Sequence, residues 1–142
     1  MRRPIAKRST VVLAAAITLA AAVTAGAAAI TVTLNLQGGY GNRTLKPCAL
    51  THHYTLFHRG RAISVNGAVS PAPSGTFRVK LKVKQCVRGR FRAVWVGTAQ
   101  VRPDGTFQGT VPPRRVGYFF ARAYYYVGAT TVKSDKQYFK SS

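Results

Sequence analysis

The sequence contains no glutamate, and its only acidic residues are Asp104 and Asp135, against 22 lysines and arginines. Hydrolases that use a pair of carboxylates need two acidic side chains in one site. The two aspartates lie in a predicted turn and near the C-terminus, so this chemistry has no support. No Gly-x-Ser-x-Gly nucleophile motif occurs. Counting residues does not exclude a Ser-His-Asp set, but we predict a protein that is not an enzyme.

The sequence also lacks a group of residues with the spacing of metal ligands. His52, His53 and His58 lie within seven residues, but no aspartate is near them in sequence. Bound zinc normally needs three or four ligands, often with carboxylate or thiolate help. We therefore expect surface histidines rather than a zinc or copper site, and no cofactor.

The first 29 residues have the pattern of an export signal. Arg2, Arg3, Lys7 and Arg8 precede an uncharged run that ends in small residues at Ala27–Ala29. We predict that residues 1–29 form a signal helix that is cleaved. An uncleaved anchor is the alternative, because the run is long enough to span a bilayer. The rest of the chain is expected to be secreted or extracellular, free or associated with the cell wall, with no membrane span after cleavage.

Two cysteines, Cys48 and Cys86, follow the predicted signal. In an exported chain we expect them to form a disulfide with each other. Free thiols and intermolecular pairing are the alternatives.

No convincing helix follows the signal, and the chain instead shows short alternating segments separated by glycine and proline. Apolar and polar residues alternate along residues 30–36, which is typical of a half-buried strand or of an extended lead-in to the domain. Because glycines follow, we predict an extended N-terminal segment or linker at 30–48. The domain is predicted at 49–142. Its strands are predicted at 50–57, 63–69, 77–84, 91–101, 106–111, 118–127 and 137–139. This pattern favours an all-β fold, a single antiparallel sandwich.

Four motifs follow one another along the chain: Ser64–Pro71, Val79–Val83, Arg102–Phe107 and Gly117–Ala123. This series resembles the bacterial Ig-like domains of secreted and cell-surface proteins, over about half of the chain. The resemblance implies an Ig-like sandwich of binding or spacer type, without catalytic residues. The chain departs from the pattern in having a single copy, a cysteine pair and a high charge.

Basic residues alternate with apolar ones along residues 77–84. Arg78, Lys80, Lys82 and Lys84 are expected on one face, about 7 Å apart, which suits successive phosphates of an extended polymer. The patch is expected to continue through Arg88, Arg90 and Arg92. Such residues neutralise phosphates without reading a base sequence, so no specific nucleic acid is predicted. The alternative is a solvated face whose lysines prevent edge-to-edge aggregation.

Aromatic residues dominate residues 118–127. Tyr118, Tyr124 and Tyr126 fall on one side, opposite the row that contains Phe119 and Tyr125. An exposed tyrosine row beside Arg122 would stack sugar rings or bases. The alternative is a central strand with both rows packed. Trp95 is expected in the core.

Removal of the signal leaves 18 basic and two acidic residues, a net charge of +16. Such a charge favours a polyanionic partner. We therefore predict a binding module that adsorbs to anionic polymers of the cell envelope. The alternative is a diffusible secreted factor, either a protein inhibitor or a cationic antimicrobial-type protein. Arginine-rich composition without a polyanionic partner also accounts for the charge.

Signal cleavage gives the first testable prediction. N-terminal sequencing of exported protein should find a chain that begins after Ala29 or after Ala27, because these small residues fit the cleavage pattern. Exported protein that begins at Met1 would instead show an anchor.

Overall fold

The computed structural model describes residues 28–142, so the predicted signal lies outside the described residues except for Ala28 and Ala29. The described chain forms ten strands and one 3-10 turn, with no α-helix in this range. The strands are β1 (Thr31–Gln37), β2 (Gly41–Leu45), β3 (His52–Phe57), β4 (Ile63–Ser70), β5 (Phe77–Val87), β6 (Arg90–Val101), β7 (Thr106–Val111), β8 (Gly117–Val127), β9 (Thr130–Lys133) and β10 (Gln137–Ser141). The predicted all-β class is confirmed. Residues 28–142 include no helix of the length and apolarity that a membrane crossing requires.

All ten strands belong to one curled sheet in the order β1-β4-β7-β6-β5-β8-β10-β3-β2, with β9 beside the end of β8. Every pair is antiparallel except β10 with β3. Strands β6 and β7 pair only at Val101 and Phe107, next to the turn that joins them. Strands β1, β4 and β7 fold back over the rest of the sheet, since β1 contacts β8, β9 and β10 although it is far from them in the strand order.

The inner face of the curl holds one core, because apolar residues alternate along the strands that line it. On β5, Val79, Leu81 and Val83 are buried, and on β8 the row from Phe119 to Tyr125 joins them. Strands β1, β4 and β7 supply the opposite wall, which includes Leu34, Val65 and Phe107.

Residues 30–48 contain two strands of the sheet, β1 and β2, which corrects the predicted boundary at residue 49. Strand β1 pairs with β4 over seven residues, and Val32 and Leu34 are buried in the core. Strand β2 pairs with β3. The glycines between β1 and β2 form a tight connection, because Gly39 lies against Thr55 and Leu56 on β3. The alternation at residues 30–36 therefore marks a strand of the domain.

Two tight turns have the backbone geometry that their residues favour. Arg88 and Gly89 both have positive φ and close the β5–β6 hairpin with two residues. In the β6–β7 turn Gly105 has φ +87°, and its N–H donates to the Arg102 carbonyl oxygen at 2.8 Å.

Strand β9 was not predicted. Between β9 and β10, the buried Ser134 hydroxyl accepts from the Ala123 N–H at 2.9 Å.

Gly67 on β4 gives a stability prediction. A Cβ at this position would meet the Thr33 carbonyl oxygen and the Phe107 ring, so Gly67→Ala should destabilise the protein by about 1–3 kcal/mol. The matched control is Gly41→Ala, because a Cβ at Gly41 would make only an ordinary contact, 3.8 Å from Leu56. Denaturant unfolding measures both variants, and equal stability would contradict the packing described here.

Candidate functional site

The outer face of β5 carries the predicted basic residues, while the inner face carries the core. Lys80, Lys82 and Lys84 are half-buried and alternate with the buried residues Val79, Leu81 and Val83. Arg78 extends the same face and is exposed. The strict alternation of β5 fixes this arrangement, because successive side chains of a strand point to opposite faces.

Each of these three lysines lies over an aromatic ring of β8. The Nζ atoms lie 5.4 Å from the ring centre of Tyr126 for Lys80, 4.6 Å from Tyr124 for Lys82, and 5.9 Å from Phe120 for Lys84. Strand β8 is the neighbour of β5, so its outer residues lie directly or diagonally opposite the lysines.

Three further lysines approach aromatic rings of β8 from the other side. The Nζ atom of Lys133, at the end of β9, lies 5.9 Å from the centre of the Tyr124 ring. The Nζ atom of Lys136, just before β10, lies 5.0 Å from the centre of the Phe120 ring. Lys140 on β10 lies 5.7 Å from Tyr118. The sequence analysis missed these residues. The alternation of Lys136, Tyr138 and Lys140 was a signal for one shared face.

We call this surface the lysine–aromatic face: the six lysines Lys80, Lys82, Lys84, Lys133, Lys136 and Lys140 with the rings beneath them. The sequence after residue 29 contains one other lysine, Lys46. Contacts between an ammonium and a ring contribute about 0.5–1 kcal/mol each at exposed sites. The lysine stems also cover aromatic surface while the ammonium groups stay hydrated. The face is therefore cationic at its surface and apolar below.

A layer of aromatic side chains lies beneath the lysines. The Tyr138 ring packs against His52, Tyr54, Phe91 and Phe120, with centroid distances from 3.8 to 6.0 Å. Phe120 is 3% exposed and Tyr54 is fully buried. Both faces of β8 are thus packed, one by the core and one by this layer.

The aromatic layer changes the acidity of two tyrosines. Burial raises the pKa of Tyr54 to about 12, with the neighbouring Tyr138 and Tyr118 adding to the rise. Burial also raises the pKa of Tyr138, and the nearby Arg122 charge offsets part of that rise. Both phenols are neutral at physiological pH, so the face keeps its positive charge.

The predicted disulfide between Cys48 and Cys86 is confirmed, with a Cα–Cα distance of 5.9 Å. Cys86 shares the outer face of β5 with Lys84, whereas Cys48 lies in the 3-10 turn Pro47–Ala49 between β2 and β3. Strands β8 and β10 separate β3 from β5 in the sheet. The segment that carries Cys48 therefore crosses the outer face at the end where Tyr54 and Phe120 are buried.

The arginines of the β5–β6 hairpin do not extend the lysine–aromatic face. Arg90 lies opposite Val87 and Arg92 opposite Gln85, and residues opposite one another in a sheet share a face. Val87 and Gln85 follow the same alternation as the core residue Val83, so Arg90 and Arg92 belong to the other side of the sheet. Arg88 is exposed in the turn.

The candidate aromatic residues differ in their exposure. Tyr126 is 44% exposed, Tyr118 is half-buried, and Tyr124 is only 8% exposed beneath Lys82 and Lys133. Trp95 is half-buried at the margin of the core. The structure thus brings the three tyrosines onto one face with the β5 lysines, as ring supports for the ammonium groups.

The histidines do not come together in the described chain. His52 stacks on Tyr138, His58 stacks on Tyr40 with a centroid distance of 4.4 Å, and His53 shares a hydrogen bond with Thr44. Residues 28–142 contain no group of three or more histidine, cysteine or acidic side chains that could hold a metal ion.

Like charges meet at the centre of the lysine–aromatic face. Lys82 lies directly opposite Arg122, whose Nε donates to the Ser134 carbonyl oxygen at 2.7 Å. Like charges opposite each other destabilise a sheet. With two aspartates in the whole chain, most of these cations have no carboxylate to pair with. This excess of positive charge makes the face a candidate anion site.

Comparison with known proteins gives no further assignment: no protein-family model matches the chain, and a search of curated proteins finds no match.

The disulfide gives a stability prediction for this face. Replacing both cysteines in the variant Cys48→Ser/Cys86→Ser should lower the free energy of unfolding by about 2–5 kcal/mol, because the bond closes a long loop in the unfolded chain. Denaturant unfolding measures the loss, and mass spectrometry of the parent should find no free thiol. Unchanged stability would show that packing alone holds the crossing segment.

Proposed function

We propose that the protein is an exported, non-enzymatic binding module that adsorbs to anionic polymers of the cell envelope through its lysine–aromatic face. The observation that carries the proposal is the concentration of six of the seven lysines after residue 29 over the rings of one face. Lysines scattered without regard to function would be spread over several faces.

The arrangement of the ammonium groups suits an extended polymer. Lysines two residues apart on β5 are separated by about 7 Å, and a second line from β9 to β10 runs on the other side of β8. A chain with repeated phosphates or carboxylates would lie along β8 between these two lines. It would neutralise cations that have no acidic partner, which relieves the repulsion at Lys82 and Arg122.

The rings restrict the lysine side chains but do not make the site selective for a particular polyanion. Because the lysine stems rest on packed aromatic side chains, little of their freedom remains to be lost when a polymer binds. Ammonium groups recognise charge rather than a particular sugar or base, so binding is expected to be sensitive to salt.

Two parts of the proposal concern the fold and the compartment. We propose that the curled sheet is an Ig-like sandwich, because β1, β4 and β7 cover the inner face of the longer strands β5, β6 and β8.

We also propose secretion, since the disulfide requires an oxidising compartment. Fractionation of the producing cells with a salt wash tests the location: the proposal expects protein on the cells that salt releases.

A second candidate, a diffusible factor that binds another protein, is favoured by the free edge of β6. Within the described chain, β6 pairs with β5 along its length except for a bulge at Val94, but it pairs with β7 only at Val101. Val94 and Val96 are 39% and 52% exposed beside this edge. Another strand could pair there. Free protein in the culture medium, with no salt-released fraction on cells, would favour this candidate.

The polyanion site is tested by two variants that remove the same charge. Lys80→Gln/Lys82→Gln/Lys84→Gln should weaken binding to teichoic acid and to heparin, because it removes three cations of the site. The slope of log affinity against log salt should fall by about 0.7–0.9 for each charge removed. Affinity measured over a range of salt concentrations gives this slope.

The control is Arg88→Gln/Arg90→Gln/Arg92→Gln, which removes three charges from the hairpin and the other side of the sheet. It should keep most of the affinity. Circular dichroism of both variants shows whether they fold. Equal losses in the two variants would mean that net charge alone drives binding, and a folded lysine variant that binds like the parent would contradict the proposal.

A further inference from the structure

The outer surface of β1, β4 and β7 has no charged residue in any of its three strands. This is unusual in a chain with 24 charged residues among 142. The strands are adjacent in the sheet, and their outward side chains carry hydroxyl or amide groups, with one alanine among them. We call this surface the neutral face; its outward residues are Thr31, Thr33, Asn35, Gln37, Ser64, Asn66, Ala68, Ser70, Thr106, Gln108 and Thr110.

The register of the strands places the amides of the neutral face side by side. Asn35 on β1 lies opposite Asn66 on β4, which lies opposite Gln108 on β7. The rows above and below contain hydroxyl groups, such as Thr33 and Thr106 on one side of the amide row. Neighbouring strands are about 4.8 Å apart, so these groups form a regular grid of hydrogen-bonding atoms.

Several of these side chains are already oriented by hydrogen bonds. The Arg102 guanidinium donates to Gln108 Oε1 at 2.8 Å, and Gln37 Nε2 donates to Asn66 Oδ1 at 3.4 Å. Both contacts use the amide oxygen, so the amide N–H groups of Asn66 and Gln108 are the atoms offered to a ligand. The Thr33 hydroxyl accepts from the Ala68 N–H at 3.1 Å, which leaves its own hydrogen to donate.

Two shallow depressions run across this grid. One, of about 410 Å³, is lined by Asn35, Asn66, Asp104 and Gln108 among others. The second, of about 360 Å³, shares Asn66 and Gln108 with the first and continues toward Ser64 and Thr110. Because the two depressions adjoin at Asn66 and Gln108, they suit an extended chain rather than a single small molecule.

The charges around the depressions select the kind of partner. Asp104 Oδ1 accepts from both the backbone N–H and the hydroxyl of Thr106, which lowers the pKa of Asp104 and keeps it ionised at neutral pH. The Arg102 guanidinium also lines this depression and donates to Gln108, so the positive charge of Arg102 and the negative charge of Asp104 offset each other and the rim has no net charge. The complementary partner is uncharged and rich in hydroxyl groups.

We propose that the neutral face binds a neutral polysaccharide chain, with Asn35, Asn66 and Gln108 donating to sugar oxygens and the Asp104 carboxylate accepting from a sugar hydroxyl. The chain would lie across β1, β4 and β7 along the two depressions. This site lies in a different part of the sheet from the lysine–aromatic face, so the protein would hold a neutral glycan and a polyanion at the same time.

The test uses insoluble chitin and insoluble cellulose as neutral polysaccharides, in 1 M NaCl. The screening length at this salt concentration is about 3 Å, so the lysine–aromatic face contributes little to binding. The protein should bind at least one of the two polymers. The variant Asn35→Ala/Gln108→Ala should bind about tenfold or more weakly, because it loses two polar contacts with the glycan.

The control is Lys80→Gln/Lys82→Gln/Lys84→Gln, which should bind the glycan like the parent even where its affinity for polyanions has fallen. The substituted residues Asn35 and Gln108 are exposed, so the variant Asn35→Ala/Gln108→Ala should keep the thermal midpoint of the parent. Circular dichroism checks that the lysine variant is folded. Absence of binding to both polymers, or equal binding by parent and Asn35→Ala/Gln108→Ala, would overturn the proposal. Concentration-dependent self-association abolished by the same substitutions would instead assign the face to a second copy of the chain.

Discussion

The outer side of β5, β8, β9 and β10 has to hold six ammonium groups in a chain that has two acidic side chains. Ion pairing, the usual way to accommodate clustered lysines, can therefore neutralise few of these ammonium groups. Aromatic rings take that role: every one of these lysines has its Nζ within 6 Å of a ring centre. Much of the remaining structure follows from this requirement, because the rings need a packed layer of their own.

That second layer explains why the outer face is closed at one end. Tyr54 and Phe120 are large and lie outside the main core, so they would expose much apolar surface on an open sheet. The segment that carries Cys48 crosses this end, and its bond to Cys86 on β5 holds it there. The other end, near Tyr126, remains open to solvent. The disulfide thus keeps the aromatic layer covered at this end, and the rings of that layer lie beneath the lysines.

Local patterns were sufficient for part of this structure. Alternation along β5 identified both its faces, and Pro103-Asp104-Gly105 marked a turn, because each depends on neighbours in sequence. The contacts between lysines and rings could not be predicted from the sequence. Lys133, Lys136 and Lys140 share a face with the β5 lysines only because β8 pairs with β9 and β10 in the folded sheet. Arg90 and Arg92 were assigned to the wrong face, because their side is set by the two-residue hairpin turn. The neutral face was missed because its three strands become adjacent only in the folded sheet.

The central claim is that the lysines over the rings contact polyanions directly. Acetylation of lysines, followed by mass spectrometry, measures the reactivity of each lysine with and without teichoic acid. Lys46 lies in the loop before the crossing turn, is exposed and serves as an internal reference. Teichoic acid should slow acetylation of Lys80, Lys82, Lys84, Lys133, Lys136 and Lys140 several-fold more than that of Lys46. Uniform protection of all seven lysines, or protection of none, would contradict the account.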